Sequence, residues 1–183
     1  MGRFMNHKKW VVALALIATA LILTHLPVSE ADAAASASDF LIEGSTLTKY
    51  RGTDERVTIP DTVEVVGESA FENNQKVQLV VVPKSVKRMD AYVFWGCDNL
   101  EEVVLGKGLT SVDEYAFSGC TGLKQITIPE NVQSIDAQAF AGCTNLTDIY
   151  IPDTVTSIAD DAFLNCDNVT IHADEGSVAE KFA

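Results

Sequence analysis

A phenylalanine recurs with a 23-residue period along most of this chain, and this period constrains the fold more than any other feature of the sequence. The phenylalanines are Phe71, Phe94, Phe117, Phe140 and Phe163. A second series with the same step contains Cys97, Cys120, Cys143 and Cys166, and Asn74 holds the matching position in the first unit. Internal repeats with periods of about 20 to 50 residues are typical of solenoids, propellers and similar arrays. We therefore expect one structural unit for each of the five repeats.

Each repeat predicts a short strand followed by a turn. In the unit of residues 126–148, Ile126 and Ile128 flank a polar residue, as in a strand with one buried face, and Pro129 ends that strand. Two positions after each phenylalanine the chain has glycine or asparagine, the residues that best tolerate positive φ. These residues are Asn73, Gly96, Gly119, Gly142 and Asn165. We therefore expect a short helical turn in each unit, after which the chain reverses toward the next strand.

Units of this kind are stable only when they are stacked, because one strand and one turn cannot cover their own apolar side. The sequence predicts an α/β solenoid of about five coils over residues 57–170, in which each phenylalanine packs on the next. Residues 38–56 are expected to form an N-terminal capping hairpin, and residues 171–183 a C-terminal cap with a short helix.

The N-terminus predicts a secretory signal peptide. Basic residues near the start precede an apolar run from Trp10 to Leu23, and the small-residue stretch ADAAASAS follows. Ala-x-Ala patterns end at Ala33, Ala35 and Ala37, and we favour cleavage at the last of these, which would remove residues 1–37. The alternative is an uncleaved membrane anchor, but the apolar run has 14 residues, whereas a membrane-spanning helix needs about 20.

Net charge narrows the class of partner. Without residues 1–37 the chain has 10 basic and 24 acidic residues, which gives a formal charge of −14. Such a surface repels nucleic-acid phosphates and anionic lipids, so neither nucleic acid nor a membrane is an expected partner of the cleaved chain. We expect a monomer that is secreted or associated with the cell surface, and whose partner is an extracellular protein or glycan.

The repeat resembles the BspA-like leucine-rich repeats of bacterial surface and secreted proteins. The resemblance rests on the order strand, Pro, Val, Ile, "AF", "GC" and "NL" within the 23-residue period, and it covers roughly residues 40–183. The segment FLIEGSTLTKYRG is similar to the hairpin that opens such domains, and EGSVAEKFA to their closing helix. The resemblance implies a leucine-rich-repeat solenoid without cofactor or catalysis that contacts host or neighbouring-cell proteins. The third repeat departs from the pattern at Gly106, where the others have proline.

The four cysteines raise the question of disulfides, which are common in exported chains. Equivalent residues of neighbouring coils lie about 5 Å apart, but parallel side chains do not readily reach the dihedral angle near 90° that a disulfide requires. We interpret the cysteines as buried free thiols, with disulfide bridges as the alternative.

Catalytic and metal sites find little support in the sequence. No cysteine has a second cysteine or histidine at the spacing of a zinc site. After removal of residues 1–37, His172 is the one histidine that remains, close to Asp174 and Glu175. A hydrolase would need a nucleophile, a base and an acid that converge, so this class is disfavoured.

Surface side chains are the remaining candidates for function. The candidate partner-binding residues are Leu79, Val81, Val104, Thr127 and Tyr150 on the outer side of the strands, with Tyr92 and Trp95 on the turn side. Apolar side chains with polar surroundings are typical of contact sites, although β-branched residues also favour strands for their own conformational reasons. For Trp95 the alternative is that the ring folds back over its own coil. The leading hypothesis is a binding or adhesion module, and the second is a structural spacer or a fragment of a larger surface protein.

Overall fold

A computed structural model of the chain describes residues 35–183 and the two-residue strand β1, Met5–Asn6. Most of the predicted signal peptide, residues 1–4 and 7–34, lies outside the described residues. The chain then forms β2 (Phe40–Glu43), β3 (Thr46–Tyr50), β4 (Arg56–Thr58), β5 (Val65–Val66), β6 (Leu79–Val81), β7 (Arg88–Met89), β8 (Glu102–Val104), β9 (Ser111–Val112), β10 (Gln125–Thr127), β11 (Ser134–Ile135), β12 (Asp148–Tyr150), β13 (Ser157–Ile158), β14 (Thr170–Ala173) and the helix α1 (Val178–Phe182).

Each coil contributes one strand to each of two ladders of parallel strands. The longer strands form the sheets β4–β6–β8 and β10–β12–β14, and β1 pairs with the outer edge of β14. The two-residue strands form β5–β7, which is continuous with the hairpin, and β9–β11–β13. Pairing joins positions one repeat period apart, as between Val57 and Val80 or between Ile126 and Ile149. The predicted leucine-rich-repeat solenoid is therefore confirmed.

The core is a continuous stack of aromatic rings along the solenoid axis. Successive phenylalanines from Phe71 to Phe163 stack with ring centroids 5.0 to 5.3 Å apart. Tyr50 extends the stack by one ring before Phe71, at 5.0 Å. The phenylalanines of the first four units are fully buried. Because each buried phenylalanine contributes about 1.5 to 3 kcal/mol, this stack accounts for a large part of the stability of the fold.

The turns have the predicted reversal and a second one that the sequence did not reveal. The φ angles of Asn73, Gly96, Gly119, Gly142 and Asn165 lie between 55° and 76°, as expected. Four residues earlier in each of the first four units, Ser69, Tyr92, Tyr115 and Gln138 also have positive φ, from 52° to 60°. Two left-handed residues so close together prevent a helix from propagating. Each predicted short helical turn is therefore a series of hydrogen-bonded turns, and α1 is the one α-helix among the described residues.

Both ends of the core are covered by the predicted caps. At the N-terminal end the antiparallel hairpin of β2 and β3 places β3 beside β5. At the C-terminal end α1 begins after Ser177, whose Oγ accepts a hydrogen bond from the backbone N–H of Glu180 at 3.1 Å. The Glu180 carboxylate in turn accepts from the backbone N–H of Gly176, the residue before the N-cap, so the two side chains hold the first turn of the helix from both directions. Phe182 then packs on Phe163, the last ring of the stack.

Candidate functional site

The outer side of the longer strands, which we call the strand face, displays two side chains per coil. The central residue of each strand points inward and is at most 5% exposed; these residues are Val57, Val80, Val103, Ile126, Ile149 and Ile171. The flanking residues point outward and are partly or fully exposed. The strand face consists of Arg56, Thr58, Leu79, Val81, Glu102, Val104, Gln125, Thr127, Asp148, Tyr150, Thr170 and His172. Five of the seven candidate residues therefore lie on one surface.

The apolar part of the strand face spans two adjacent strands. Val81 pairs in register with Val104, and Leu79 pairs with Glu102. All three apolar side chains are partly exposed, although side chains of this kind are usually buried in a core. Leu79, Val81 and Val104, which we call the apolar patch, form one contiguous surface.

The strand face is divided after the apolar patch. β8 and β10 belong to separate sheets, so the backbone ladder is interrupted between the third and fourth coils. The third repeat also departs from the others on its other side, where a Cβ atom on Gly106 would meet the backbone carbonyl of Pro83 in the second coil. Without side chains at Gly106 and Gly108, the loop after β8 lies tightly against the second coil. Leu105, just before Gly106, is only partly buried, whereas its counterparts in the other repeats are at most 2% exposed.

The C-terminal half of the strand face carries a polar and aromatic cluster. The rings of Tyr150 and His172 stack at 4.3 Å with an interplanar angle of 14°. His172 Nε2 lies 2.8 Å from Asp148 Oδ1, within hydrogen-bond distance. Burial and the neighbouring Asp148 carboxylate raise the pKa of Tyr150, so the phenol stays protonated and can donate a hydrogen bond. This half of the face can therefore make directional polar contacts.

Sequence reasoning missed His172 as a member of this surface. Along the other coils the position of Tyr150 recurs with the full repeat period, but β12 and β14 pair Tyr150 with His172, which is one position short of that period. The shortened last coil hides the histidine from a fixed-step search. The alternation of polar and apolar residues in Thr170–Ala173, directly after Val169, is the sequence signal of this strand and could have placed His172 on its outer side.

The two candidates on the turn side do not form a joint site with the strand face. Trp95 is 39% exposed, so its ring does not fold into the core of its own coil. Tyr92 stacks on Tyr115 of the next coil, with ring centroids 4.8 Å apart and an interplanar angle of 5°. These aromatic side chains follow the two-residue strands and therefore lie on another side of the solenoid.

The structure brings no catalytic or metal-binding constellation together among the residues it describes. Within residues 35–183 no group of three His, Cys, Asp or Glu side chains is arranged to hold a metal ion. The described partners of His172 are a carboxylate and a phenol ring, without a serine or cysteine nucleophile. A cavity of about 440 Å³ opens at the C-terminal cap between Phe163, Cys166 and Phe182.

Among residues 35–183 no helix is long and apolar enough to cross a membrane.

The repeat identifies the family. A family model described as "BspA type Leucine rich repeat region (6 copies)" matches residues 49–170. The chain belongs to the BspA-type leucine-rich repeat family. The family model counts six copies, one more than the five units predicted from the phenylalanine period. Its match begins beside Tyr50, whose ring precedes Phe71 in the stack. The BspA-type solenoid therefore begins within the hairpin.

Solved bacterial structures have the same fold. A leucine-rich cell surface protein from Faecalibacterium prausnitzii A2-165 is 33% identical, with 74% of this chain and 36% of that chain covered and a TM-score of 0.70. A leucine-rich repeat protein from T. pallidum is 26% identical, with 76% and 71% covered and a TM-score of 0.73. A leucine-rich repeat protein from Bacteroides ovatus ATCC 8483 is 28% identical, with 74% and 41% covered and a TM-score of 0.63.

This BspA-type chain corresponds to only part of the length of two of these proteins. The match spans 36% of the F. prausnitzii protein and 41% of the B. ovatus protein, well under two thirds of either. No curated protein sequence matches the chain.

Proposed function

We propose that this BspA-type chain is a non-catalytic module that acts outside the cell and binds a protein partner through its strand face. The observation that carries the proposal is the apolar patch, which the fold leaves partly exposed on two paired strands. A contiguous apolar surface surrounded by polar groups favours a contact site. Arg56, Thr58, Glu102 and Gln125 supply polar surroundings of this kind.

The rigidity of the strand face supports the same proposal. Its side chains project from hydrogen-bonded parallel strands, so binding would order few additional backbone groups. Valine also loses little rotamer freedom on burial, because its χ1 angle is already restricted. A partner that covers Val81 and Val104 can then reach the directional groups of Asp148, Tyr150 and His172 on the same face.

An extracellular location is supported by the N-terminal sequence and by one relative. The first 37 residues have the charged, apolar and small-residue regions of a secretory signal peptide. The F. prausnitzii protein, which is 33% identical, is described as a cell surface protein. Adhesion to host or neighbouring cells is the form of binding that this location favours.

The test is a pull-down of extracellular proteins with the secreted chain and its variants. Val81→Glu and Val104→Glu each place a charge in the apolar patch, and we expect both to abolish capture of a specific partner. Thr62→Glu is the control, because Thr62 is exposed and lies away from the strand face. Trp95→Ala reports on the turn side in the same assay.

The outcomes separate binding from a structural role. If both valine variants fail to capture a partner that the unmodified chain and the Thr62→Glu control capture, the strand face is its binding surface. A partner that both valine variants retain rules out the strand face as its binding surface. If neither the unmodified chain nor any variant captures a partner, the result supports a structural spacer instead.

A further inference from the structure

Trp95 and Leu164 are large apolar side chains that the fold leaves exposed on the turn side of the solenoid. Trp95 is 39% exposed and Leu164 is 48% exposed, and Leu41 is the third large hydrophobic residue with this exposure among the described residues. Both residues directly follow a phenylalanine of the stack, so they hold the same position of the repeat, in the second and the fifth coil. Exposed large apolar side chains at one repeated position favour a contact surface.

Backbone hydrogen bonds place the residues at this position side by side in successive coils. In each coil the N–H group of the following glycine donates to the carbonyl at the same position of the next coil. These bonds run from Gly96 to Ser118, from Gly119 to Ala141 and from Gly142 to Leu164, at 2.7 to 2.9 Å. Trp95, Ser118, Ala141 and Leu164, which we call the turn-side surface, therefore form one row along the solenoid axis.

The two middle members of the turn-side surface are small. Ser118 is 9% exposed and Ala141 is 7% exposed, and both side chains are short. Trp95 and Leu164 lie at the two ends of the row, three coils apart. A partner with large side chains in its middle and small ones toward its ends is therefore complementary in side-chain size to this row.

The spacing of the coils favours a helix as that partner. Rings of the stack in these four coils lie 5.2 to 5.3 Å apart, and an α-helix rises about 5.4 Å per turn. A helix that lies along the row places one turn over each coil, with residues i, i+4, i+7 and i+11 facing the surface. An extended strand matches less well, because the residues on one of its faces repeat every ~6.6 Å.

Charge determines the chemistry of the helix. The turn segments of these coils contain eight acidic residues and no lysine or arginine; the segments are residues 90–100, 113–123, 136–146 and 159–169. Two of these acidic residues, Asp98 and Asp167, are exposed and lie three positions after Trp95 and Leu164. Such a surface attracts a basic partner and repels a second copy of this chain, whose formal charge is −13.

We propose that the turn-side surface binds a basic amphipathic helix of a partner protein, with the helix axis along the row. Large apolar side chains at i+4 and i+7 face Ser118 and Ala141. Small side chains at i and i+11 leave room for Trp95 and Leu164, and lysines beside this helix face are attracted by the acidic turn segments. The turn-side surface and the strand face lie on different sides of the solenoid, so this inference goes beyond the proposed function.

The probe is a synthetic helix-forming peptide of about 18 residues, or five turns. It has leucine at i+4 and i+7, alanine at i and i+11, and lysine on both sides of that face. A second peptide has the same composition with its two leucines on opposite faces of the helix. Fluorescence anisotropy measures the binding of each peptide to the unmodified chain. We expect the patterned peptide to bind about tenfold or more tightly than the second peptide, because only the patterned one covers the row with both leucines.

Trp95→Glu and Leu164→Glu separate apolar contact from simple charge attraction. Each variant adds a negative charge, which by itself tightens the binding of a basic peptide. We expect each to weaken the binding of the patterned peptide about tenfold or more, because a charge replaces an apolar contact. Thr62→Glu adds the same charge at an exposed position of the first coil and should not weaken binding. Circular dichroism should be unchanged, since both replaced side chains are exposed.

The outcomes decide between this surface and its alternatives. Equal binding of the two peptides, or binding of neither, overturns the proposal. Binding that both Trp95→Glu and Leu164→Glu retain also overturns it, because charge attraction alone would then account for the binding. Val81→Glu should still bind the patterned peptide; a loss there, without a loss in Trp95→Glu, assigns the peptide to the strand face and contradicts the proposal.

Discussion

Cys120 Sγ lies 3.1 Å from the backbone carbonyl oxygen of Phe94 in the preceding coil and donates a hydrogen bond to it. The same contact joins each of the other three cysteines to a phenylalanine of the preceding coil, at 2.9 to 3.1 Å. In the first unit the Asn74 side chain takes this place, and its Nδ2 donates to the Gly52 carbonyl at 3.4 Å. From the second unit onward, the cysteine and phenylalanine series are thus joined by one hydrogen bond per coil.

Cys97 and Cys120 are predicted to be unreactive thiols in the folded protein. All four are free and buried, and burial raises the pKa of Cys97 to about 12 and that of Cys120 well above its ordinary value. Alkylation requires the thiolate, so iodoacetamide at pH 8 should label these two cysteines only after denaturation. Cys166, which is 8% exposed beside the C-terminal cavity, should be labelled first. Intact mass spectrometry should find four labels per denatured chain; two or fewer would indicate disulfides.

The central ring of the aromatic stack is predicted to be essential for folding. Phe117 is fully buried between Phe94 and Phe140, and Phe117→Ala should cost about 3 to 5 kcal/mol of unfolding free energy. Denaturant unfolding followed by circular dichroism measures this loss. Ser118→Ala is the control, because the next repeat already has Ala141 at that position. Equal stability of the two variants would contradict the role of the stack.

The core could be predicted from the sequence because five repeats carry the same types of residue at the same positions. Each buried phenylalanine and each glycine or asparagine at a left-handed turn recurs at a constant step, so one pattern supports every position. The second left-handed position was missed because Ser69, Tyr92, Tyr115 and Gln138 are not residue types that signal positive φ.

Residues outside the constant step were harder to predict. Tyr50 precedes Phe71 by less than one full period, yet the two rings stack at 5.0 Å. His172 likewise follows Tyr150 by less than one full period and joins the strand face. Both lie where a cap meets the repeats, and there tertiary packing rather than the period decides the register.

Two glycines should differ in their response to substitution because they are required for different reasons. Gly119 has a φ of 76°, and a Cβ atom there would come no closer than 3.5 Å to its neighbours, so conformation is the constraint. Gly119→Asn should therefore be tolerated within about 1 kcal/mol, since Asn73 and Asn165 hold this position in other repeats. Gly106→Ala should cost more, about 1 to 3 kcal/mol, because the new Cβ meets the carbonyl of Pro83. Thermal unfolding of both variants checks the order, and a larger loss for Gly119→Asn would contradict it.

Charge removal at Asp113 is predicted to stabilise the protein in a pH-dependent way. Burial raises the pKa of Asp113, the hydrogen bond from Ser111 opposes this shift, and the carboxylates of Asp136 and Asp90 add to it. The folded chain therefore holds this proton more tightly than the unfolded chain. The resulting contribution favours folding below the ordinary aspartate pKa of about 4 and is lost as the pH rises through the raised pKa.

Asp113→Asn should consequently raise the midpoint of thermal unfolding at pH 7, and the gain should shrink when the pH is lowered to 3. The asparagine Oδ1 can still accept the hydrogen bond that Ser111 Oγ donates to Asp113 Oδ1 at 2.6 Å, so little is lost in exchange. We expect a gain of less than about 1 kcal/mol, the size of interactions between partly exposed charges. Asp153→Asn is the control at an exposed carboxylate. A gain for Asp113→Asn that is larger at pH 3 than at pH 7 would contradict the assigned direction, because it would mean that the ionised carboxylate stabilises the fold.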